Sequence, residues 1–125
     1  MNNKIILAIN PEHVDNIMKG VKKYEYRTRV AKRQIDSILI YCTNPIKKVV
    51  AEVEIKCILN DIPERLWNLT KEFSGINKLF YDKYFKNHET AYAYELGKIK
   101  KYQRPRDLSE YGCSFAPQSY IYVTE

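Results

Sequence analysis

Residues 20–27 read Gly20-Val21-Lys22-Lys23-Tyr24-Glu25-Tyr26-Arg27 and separate a predicted helix from a predicted strand. Glycine readily adopts the left-handed conformation that often ends a helix, so Gly20 predicts a helix end. The aromatic and long basic side chains that follow are typical of a strand, which we place at residues 24–29. A helix therefore precedes this segment, and a strand begins within it.

Upstream of Gly20, the sequence predicts one strand and one helix. The apolar run Lys4–Ile9 has the length of a strand. Asn10 is a favourable N-cap and Pro11 suits the first helical position, so the helix begins here. His13 is interpreted as a surface or helix-end residue rather than a general base. The buried stripe of this helix has the i, i+3, i+4 spacing and consists of Val14, Ile17 and Met18.

Downstream of the junction, strands follow one another directly before two helices appear. Residues 49–59 alternate apolar and polar side chains and predict a half-buried strand. Asp61 and Glu64 have the spacing of a capping box, which predicts the start of a helix, and Ser74-Gly75 predicts a break. The remaining predicted elements are strands at 35–41, 89–99 and 119–123, a second helix from Ile76, and an irregular connection at 105–112.

The order strand-helix-strand-strand-strand-helix-helix-strand-strand differs from the strict alternation of a parallel sheet. It predicts an α+β domain whose mostly antiparallel sheet is curled or forms a small barrel. With 125 residues, of which 45% are hydrophobic, the chain has the size and composition of one domain, which we place at residues 1–125.

Composition argues against several classes of protein. No apolar run approaches the ~18 residues of a membrane helix, and the apolar stretch near the N-terminus is too short for a secretory signal. The three cysteines show no paired spacing, so we expect them to be reduced and the protein to be cytoplasmic. The cysteines and the two histidines lack metal-ligand spacing, and we expect neither a metal nor a cofactor.

The positive charge is concentrated in one segment, residues 19–33. Seven cations and one acid, Glu25, give this segment a net charge of +6, equal to that of the whole chain. Clustered cations favour a polyanion, and the interleaved Tyr24 and Tyr26 offer faces on which unpaired bases stack. The alternative is a solvated sheet edge whose lysines discourage edge pairing.

Four residues of the junction, Gly20, Lys22, Glu25 and Arg27, match the motif Gly-x-Lys-x-x-(Glu/Thr)-x-Arg directly after a first helix. In this motif the chain resembles the ASCH domain family, a branch of the PUA-like superfamily. The resemblance extends from Lys4 to Val123 and includes the segments VVAEVEI and APQSY. The chain looks most like the small stand-alone prokaryotic members described as predicted transcriptional regulators.

The resemblance implies a small, mostly antiparallel β-barrel flanked by helices, with a cleft that holds RNA or a modified nucleobase. Cations in the cleft would contact phosphate or a planar edge, and Glu25 would accept hydrogen bonds from an exocyclic amine, as in pairing with cytosine. The alternative for Glu25 is a surface ion pair with Lys23 or Arg27. The predicted ligand-binding residues are Lys22, Tyr24, Glu25, Arg27, Tyr41, Thr43, Gln118 and Ser119.

Some relatives in the family resemble amidohydrolases of N4-acetylcytidine that use a Lys, a nucleophilic Thr and a Glu. The catalytic candidates here are Lys22, Glu25 at the Thr position, and Glu72. A carboxylate cannot replace a nucleophilic hydroxyl. A hydrolase that uses Glu25 as a general base on water stays an alternative, although nearby cations disfavour a carboxylate in that role. A metal-free ribonuclease is a further alternative that would use tyrosines with Lys22 and Arg27. A module that binds other proteins is a third, non-enzymatic alternative.

Overall fold

The structure, a computed structural model, describes residues 3–124. No helix in this range is both long enough and apolar enough to cross a membrane. The predicted order of strands and helices is confirmed, with two 3-10 helices in addition at Lys71–Phe73 and Leu108–Tyr111. The strands and α-helices are β1 (Asn3–Ile9), α1 (Pro11–Met18), β2 (Tyr24–Arg27), β3 (Ser37–Cys42), β4 (Lys48–Asp61), α2 (Pro63–Thr70), α3 (Lys78–Tyr84), β5 (Ala91–Arg106) and β6 (Ile121–Thr124).

The six strands form one sheet in the order β2-β5-β4-β3-β1-β6. Strands β1 and β3 are parallel, and the other pairs are antiparallel. The sheet is open, with β2 and β6 at its edges, so the predicted barrel is not closed by a strand ladder. The four-residue β2 pairs with β5 alone. A side chain bridges the gap instead, because Arg27 Nη2 donates to the Ala8 carbonyl of β1 at 3.0 Å.

Apolar side chains pack on both faces of the sheet because successive residues of a strand point to opposite sides. Ile5 and Leu7 of β1 pack against Val14 and Ile17 of α1. The neighbouring Ile6 belongs to a second cluster on the opposite face. A third cluster joins α2 and α3 to β2 and β5 and contains Tyr26, Leu66, Tyr81, Phe85, Ala91 and Ala93. This third cluster fixes the position of α3 beside β2.

Several element boundaries differ from the prediction, since β2 ends at Arg27 rather than residue 29 and β3 begins at Ser37 rather than residue 35. The last strand begins at Ile121 rather than residue 119. Strand β5 continues to Arg106 because its charged second half pairs with β4, and Tyr102 is the buried side chain of that half. The capping box at Asp61 is wrong, since Asp61 ends β4 and Ile62 is the N-cap of α2. The structure places a capping box at the 3-10 helix 108–111 instead, between Asp107 and Glu110.

Candidate functional site

A cavity of about 180 Å³ lies where the end of β1, helix α1, strand β2 and helix α3 meet. The lining residues with polar side chains are Asn10, His13, Lys22, Glu25, Tyr26, Arg27 and Tyr84. An apolar cavity of about 150 Å³ holds one benzene molecule, so this volume is suited to a single aromatic ring. The cavity lies next to the gap at which the sheet fails to close.

Glu25 and Arg27 form an ion pair on one wall of the cavity because alternate residues of β2 point to the same side. Glu25 is 7% exposed. Arg27 donates twice to the same carboxylate oxygen, with Nε 3.1 Å and Nη2 2.9 Å from Oε2. The other oxygen, Oε1, has no hydrogen-bond partner among residues 3–124. One carboxylate oxygen is therefore held by the protein, and the other is available to a ligand.

Lys22 is almost fully buried, with 3% of its surface exposed. Its Nζ donates to the Ser74 carbonyl at 2.8 Å and lies 5.0 Å from the centroid of the Tyr26 ring. Burial lowers the pKa of the Lys22 ammonium, while the charge of Glu25 opposes this and that of Arg27 adds to it. The protein thus holds a partly desolvated cation at a fixed point of the wall.

Gly75 makes room for the side chain of Lys22. Its φ is +70°, and a Cβ at this position would lie 2.9 Å from Lys22 Cδ and closer still to Lys22 Cβ and Cγ. Only glycine satisfies both conditions without a shift of the neighbouring atoms. The Ser74-Gly75 break therefore positions a cation of the cavity as well as ending a helical segment.

Tyr26 lines the cavity, and a hydrogen bond with Thr70 fixes its hydroxyl group. The Thr70 hydroxyl donates to the Leu66 carbonyl at 2.7 Å, so in the 2.6 Å contact between Tyr26 Oη and Thr70 Oγ1 the tyrosine is the donor. Burial raises the pKa of Tyr26 to about 12. Its ring also packs edge-on against Tyr81 at 5.1 Å. The Tyr26 phenol is a fixed, neutral group.

His13 was not predicted as a site residue, yet it lines the cavity. Its ring contacts Phe80 edge-on at 5.7 Å, and its Nδ1 is buried with no hydrogen-bond partner among the described residues. Burial, followed by the charge of Lys22, lowers the pKa of His13 below its ordinary 6.5. The imidazole is therefore neutral near pH 7. The i, i+4 relation to the buried Ile17 is the sequence signal that could have placed His13 on the inner side of α1.

Two of the predicted tyrosines are not brought to the cavity. Tyr24 packs at the edge of the cluster that contains Leu66, and the raised pKa of its phenol comes first from burial and then from Glu95. Tyr41 is buried among Leu39 and Tyr102 in the cluster on the opposite face of the sheet. The exposed aromatic residues of the lining are instead Phe80 and Tyr84 of α3, which are 47% and 39% exposed.

The other predicted residues lie outside the cavity lining. Thr43 contacts a lining residue without lining the cavity itself, since its Oγ1 donates to Oδ1 of Asn10 at 3.3 Å. Gln118 is exposed and Ser119 half-buried in the segment before β6. Glu72 is exposed on the 3-10 helix 71–73. The structure thus brings together Lys22, Glu25 and Arg27, and it does not bring Glu72 to them.

The chemistry available in the cavity is recognition of a polar ring, with one group suited to proton transfer. Fixed cations and a free carboxylate oxygen offer donors and an acceptor, and a neutral imidazole can accept a proton. Within residues 3–124, no three His, Cys, Asp or Glu side chains are grouped so that they could hold a metal ion.

Comparison with solved structures supports the fold. The crystal structure of ASCH from Zymomonas mobilis superposes with a TM-score of 0.88 and 24% identity, covering 98% of this chain and 88% of that one. A mutant form of the same protein gives the same TM-score and covers 91% of that chain. At this level of identity the likeness shows the fold alone.

Sequence comparison gives relatives that are mostly longer than this chain. The Ureaplasma parvum proteins named ATP synthase subunit alpha and large ribosomal subunit protein uL22 are 26% and 28% identical over 95% of this chain. The chain spans only 15% and 39% of their lengths. A Zymomonas mobilis protein named ASCH domain-containing ribonuclease is 27% identical over 73% of this chain and 62% of its own length. The ASCH domain model matches residues 7–100, and the chain belongs to the ASCH domain family.

Proposed function

We propose that the cavity binds one base of an RNA chain or of a nucleotide, with cytosine or a modified cytosine as the preferred ring. The observation that carries this proposal is Glu25 Oε1, which lines the cavity on a residue that is 7% exposed and has no hydrogen-bond partner among the described residues. Carboxylates accept hydrogen bonds from the exocyclic amine of cytosine. A role in transcriptional regulation, the finer expectation from the resemblance, would depend on this binding.

The cations of the cavity support the same ligand. The Lys22 ammonium has three N–H donors, and Ser74 takes one of them. The remaining donors suit the carbonyl oxygen of a pyrimidine or a phosphate oxygen. The cavity volume of about 180 Å³ admits one ring but not a whole nucleotide, so the sugar and phosphate would stay outside, near Tyr84.

Titration with the four ribonucleosides and their 5′-monophosphates, followed by NMR chemical-shift changes, tests the proposal. We expect cytidine compounds to bind most tightly and to shift the amides of residues 22–27. Ile76→Phe should fill the cavity and abolish binding, because Ile76 lines it. Ile62→Phe is the matched control, since Ile62 is 51% exposed and lies outside the lining.

Glu25→Gln separates recognition from cavity shape. The substituted side chain would keep an oxygen for Arg27 but would present an amide donor where a carboxylate now accepts, so the preference for cytidine over uridine should disappear. Equal binding of cytidine and uridine by the unmodified protein, or cytidine binding retained in Ile76→Phe, would contradict the proposal.

Cleavage of RNA is a second candidate function, and one observation favours it. The neutral His13 lies in the same cavity as the cation Lys22, which is a combination used for proton transfer and charge stabilisation. A relative named as a ribonuclease is consistent with it. Incubation of labelled single-stranded RNA with the protein in EDTA tests this candidate. Cleavage should be present in the unmodified protein and lost in His13→Asn, and its absence in the unmodified protein would exclude the candidate.

A further inference from the structure

The second half of β5 carries a concentration of positive charge that the first basic segment does not include. Residues 98–106 read Lys98-Ile99-Lys100-Lys101-Tyr102-Gln103-Arg104-Pro105-Arg106, with five cations and no acid. All of these residues except Tyr102 and Arg106 are exposed. None of them lines the cavity beside β2.

The pairing of β5 with β4 is irregular in this region. Ala51 pairs with Lys101 and Val49 with Arg106, so two steps along β4 face five steps along β5. The three extra residues form a bulge, which bends a strand and redirects its side chains. Beside the bulge is an open groove of about 750 Å³, lined by residues 100–106 and Glu110. We call it the β5 groove.

The β5 groove has an uncompensated positive charge. Its lining contains four cations, Lys100, Lys101, Arg104 and Arg106, and one carboxylate, giving a net charge of 4 − 1 = +3. That carboxylate, Glu110, already accepts a hydrogen bond from the Asp107 backbone at 2.9 Å. Among residues 3–124, none of the four cations forms an ion pair.

Glu52 is the acid that faces the groove cations from β4, since it pairs in register with Lys100. Its carboxylate is engaged elsewhere, with Oε1 3.1 Å from Lys4 Nζ and Oε2 2.8 Å from Ser37 Oγ. Lys100 therefore lies near this carboxylate without a direct ion pair. Cations that a protein leaves exposed and unpaired side by side repel one another, and an anionic partner relieves that repulsion.

Arg106 is pre-positioned within the groove. Its guanidinium carbon lies 4.1 Å from the centroid of the Tyr102 ring, and its Nη1 donates to the Tyr111 hydroxyl at 3.1 Å. A guanidinium held over a ring and bonded at one nitrogen keeps further N–H groups free for a phosphate and loses little freedom when it binds one.

The groove and the cavity lie at the same end of the sheet but on opposite faces, since Ile9 belongs to the cluster beneath α1 and Tyr102 to the cluster on the other side. Ile9 of the cavity pairs with Cys42, Cys42 pairs with Lys48, and the adjacent Val49 pairs with Arg106. Three strand spacings therefore separate Ile9 from Arg106, which is about 14 Å along the sheet. A single nucleic acid strand that contacts both places has to pass around this end of the sheet.

We propose that the β5 groove binds the phosphate backbone of a single-stranded RNA, flanking the base that occupies the cavity. The flanking arrangement rests on the proposed function, whereas the binding of phosphates in the groove does not. The groove is lined mainly by cations, and its aromatic ring, Tyr102, is buried and faces Arg106, so we expect it to contact the backbone and to carry little base specificity.

The test compares two triple variants that remove the same charge. Lys100→Gln with Lys101→Gln and Arg104→Gln changes three exposed groove residues. Arg65→Gln with Lys71→Gln and Lys86→Gln changes three exposed residues that lie outside both the groove and the cavity. The probe is a fluorescein-labelled oligocytidylate of about 20 nucleotides, titrated by anisotropy between about 0.05 and 0.3 M KCl. Cytidine binding is measured by NMR on the same samples.

In the groove variant, the slope of log K against log salt should become less negative by about 2, and the affinity at 0.1 M salt should fall about 100-fold. The control variant should change the slope by less than about 1. Cytidine binding should be unchanged in both. Equal losses in the two triple variants would overturn the groove proposal. Polyglutamate is the second probe. If it binds the unmodified protein as tightly as the RNA and binds the groove variant equally weakly, the proposal is overturned and the partner is an acidic protein.

The two proposals fail separately in this experiment. A groove variant that loses oligocytidylate affinity in a protein that binds no nucleoside would refute the cavity proposal and leave the groove. If the protein binds cytidine and the groove variant keeps its oligocytidylate affinity, the groove proposal is refuted and the cavity proposal stands.

Discussion

Lys22 and Arg27 of the first basic segment are bonded to protein atoms, whereas Lys101 and Arg104 of the β5 groove are exposed and form no ion pair among the described residues. In the sequence the two segments look alike, because each has several cations and at most one acid. They differ because the short β2 lines a cavity that it shares with α1 and α3, whereas Lys101 and Arg104 are exposed on β5. Burial decides whether a cation shapes a site or attracts a partner.

This difference has an energetic consequence. A buried cation loses its hydration, and fixed partners have to compensate for that loss, so its removal disturbs the fold. An exposed cation on a strand contributes little to folding and keeps its charge for association. Variants in the two segments should therefore separate into those that change stability and those that change binding.

The largest expected effect is that of Arg27→Met. Removing the guanidinium leaves Glu25 buried without its charge partner and also frees the Ala8 carbonyl, so the free energy of unfolding should fall by about 3 kcal/mol. Arg104→Met, in the groove, should change it by less than about 0.5 kcal/mol. Urea denaturation measures both. A similar small loss in both variants would show that the two segments do not differ in this way.

The second-largest effect on the free energy of unfolding is expected for substitutions at two glycines with positive φ. Gly75→Ala combines an unfavourable φ of +70° with overlap on Lys22, whereas Gly20→Ala meets no atom within 4 Å at a φ of +80°. We expect a loss of about 1 kcal/mol for Gly20→Ala and at least twice that for Gly75→Ala. Equal losses in thermal or urea unfolding would mean that the Lys22 side chain moves aside at no cost.

A smaller effect is expected for Tyr26→Phe, which removes one buried hydrogen bond of the cavity wall. The Thr70 hydroxyl keeps its bond to the Leu66 carbonyl, so only the bond from Tyr26 is lost. The free energy of unfolding should fall by about 1 kcal/mol. Tyr92→Phe, on the half-buried Tyr92 outside the cavity lining, is the control and should be close to neutral.

The smallest effect is a pH dependence from His13. Its pKa in the folded protein is below the ordinary 6.5, so the unfolded chain takes up the proton first as the pH falls. The contribution to stability is complete above pH 6.5 and is lost progressively as the pH falls through the lowered folded pKa. His13→Asn should show a smaller decrease in urea midpoint between about pH 7.5 and 5.5 than the unmodified protein. A steeper decrease in the variant would contradict the lowered pKa.

The order of elements was predictable because local patterns determine it. The apolar runs of β1 and β3, the alternation in β4 and the Asn10-Pro11 start of α1 each act within a few residues. The spacing of Lys22, Glu25 and Arg27 likewise placed three cavity residues on one short segment. Local signals of this kind need no knowledge of the rest of the chain.

Contacts between residues that are far apart in the sequence were harder to predict. Tyr41 was expected at the cavity rim, but the residue pairing of β3 with β1 and β4 turns it to the opposite face. His13 lines the cavity where α3 brings Phe80 against it, a contact between two helices far apart in the sequence. The bulge in β5 depends on a register between two long strands, which no short pattern encodes.

The guanidinium of Arg27 is shared between the carboxylate that would meet a ligand and a carbonyl in the strand across the gap. A ligand at Glu25 Oε1 would use the oxygen that Arg27 leaves open, so the bond from Arg27 to β1 can persist while the cavity is occupied. One side chain therefore both orients the acceptor and ties the end of β2 to β1.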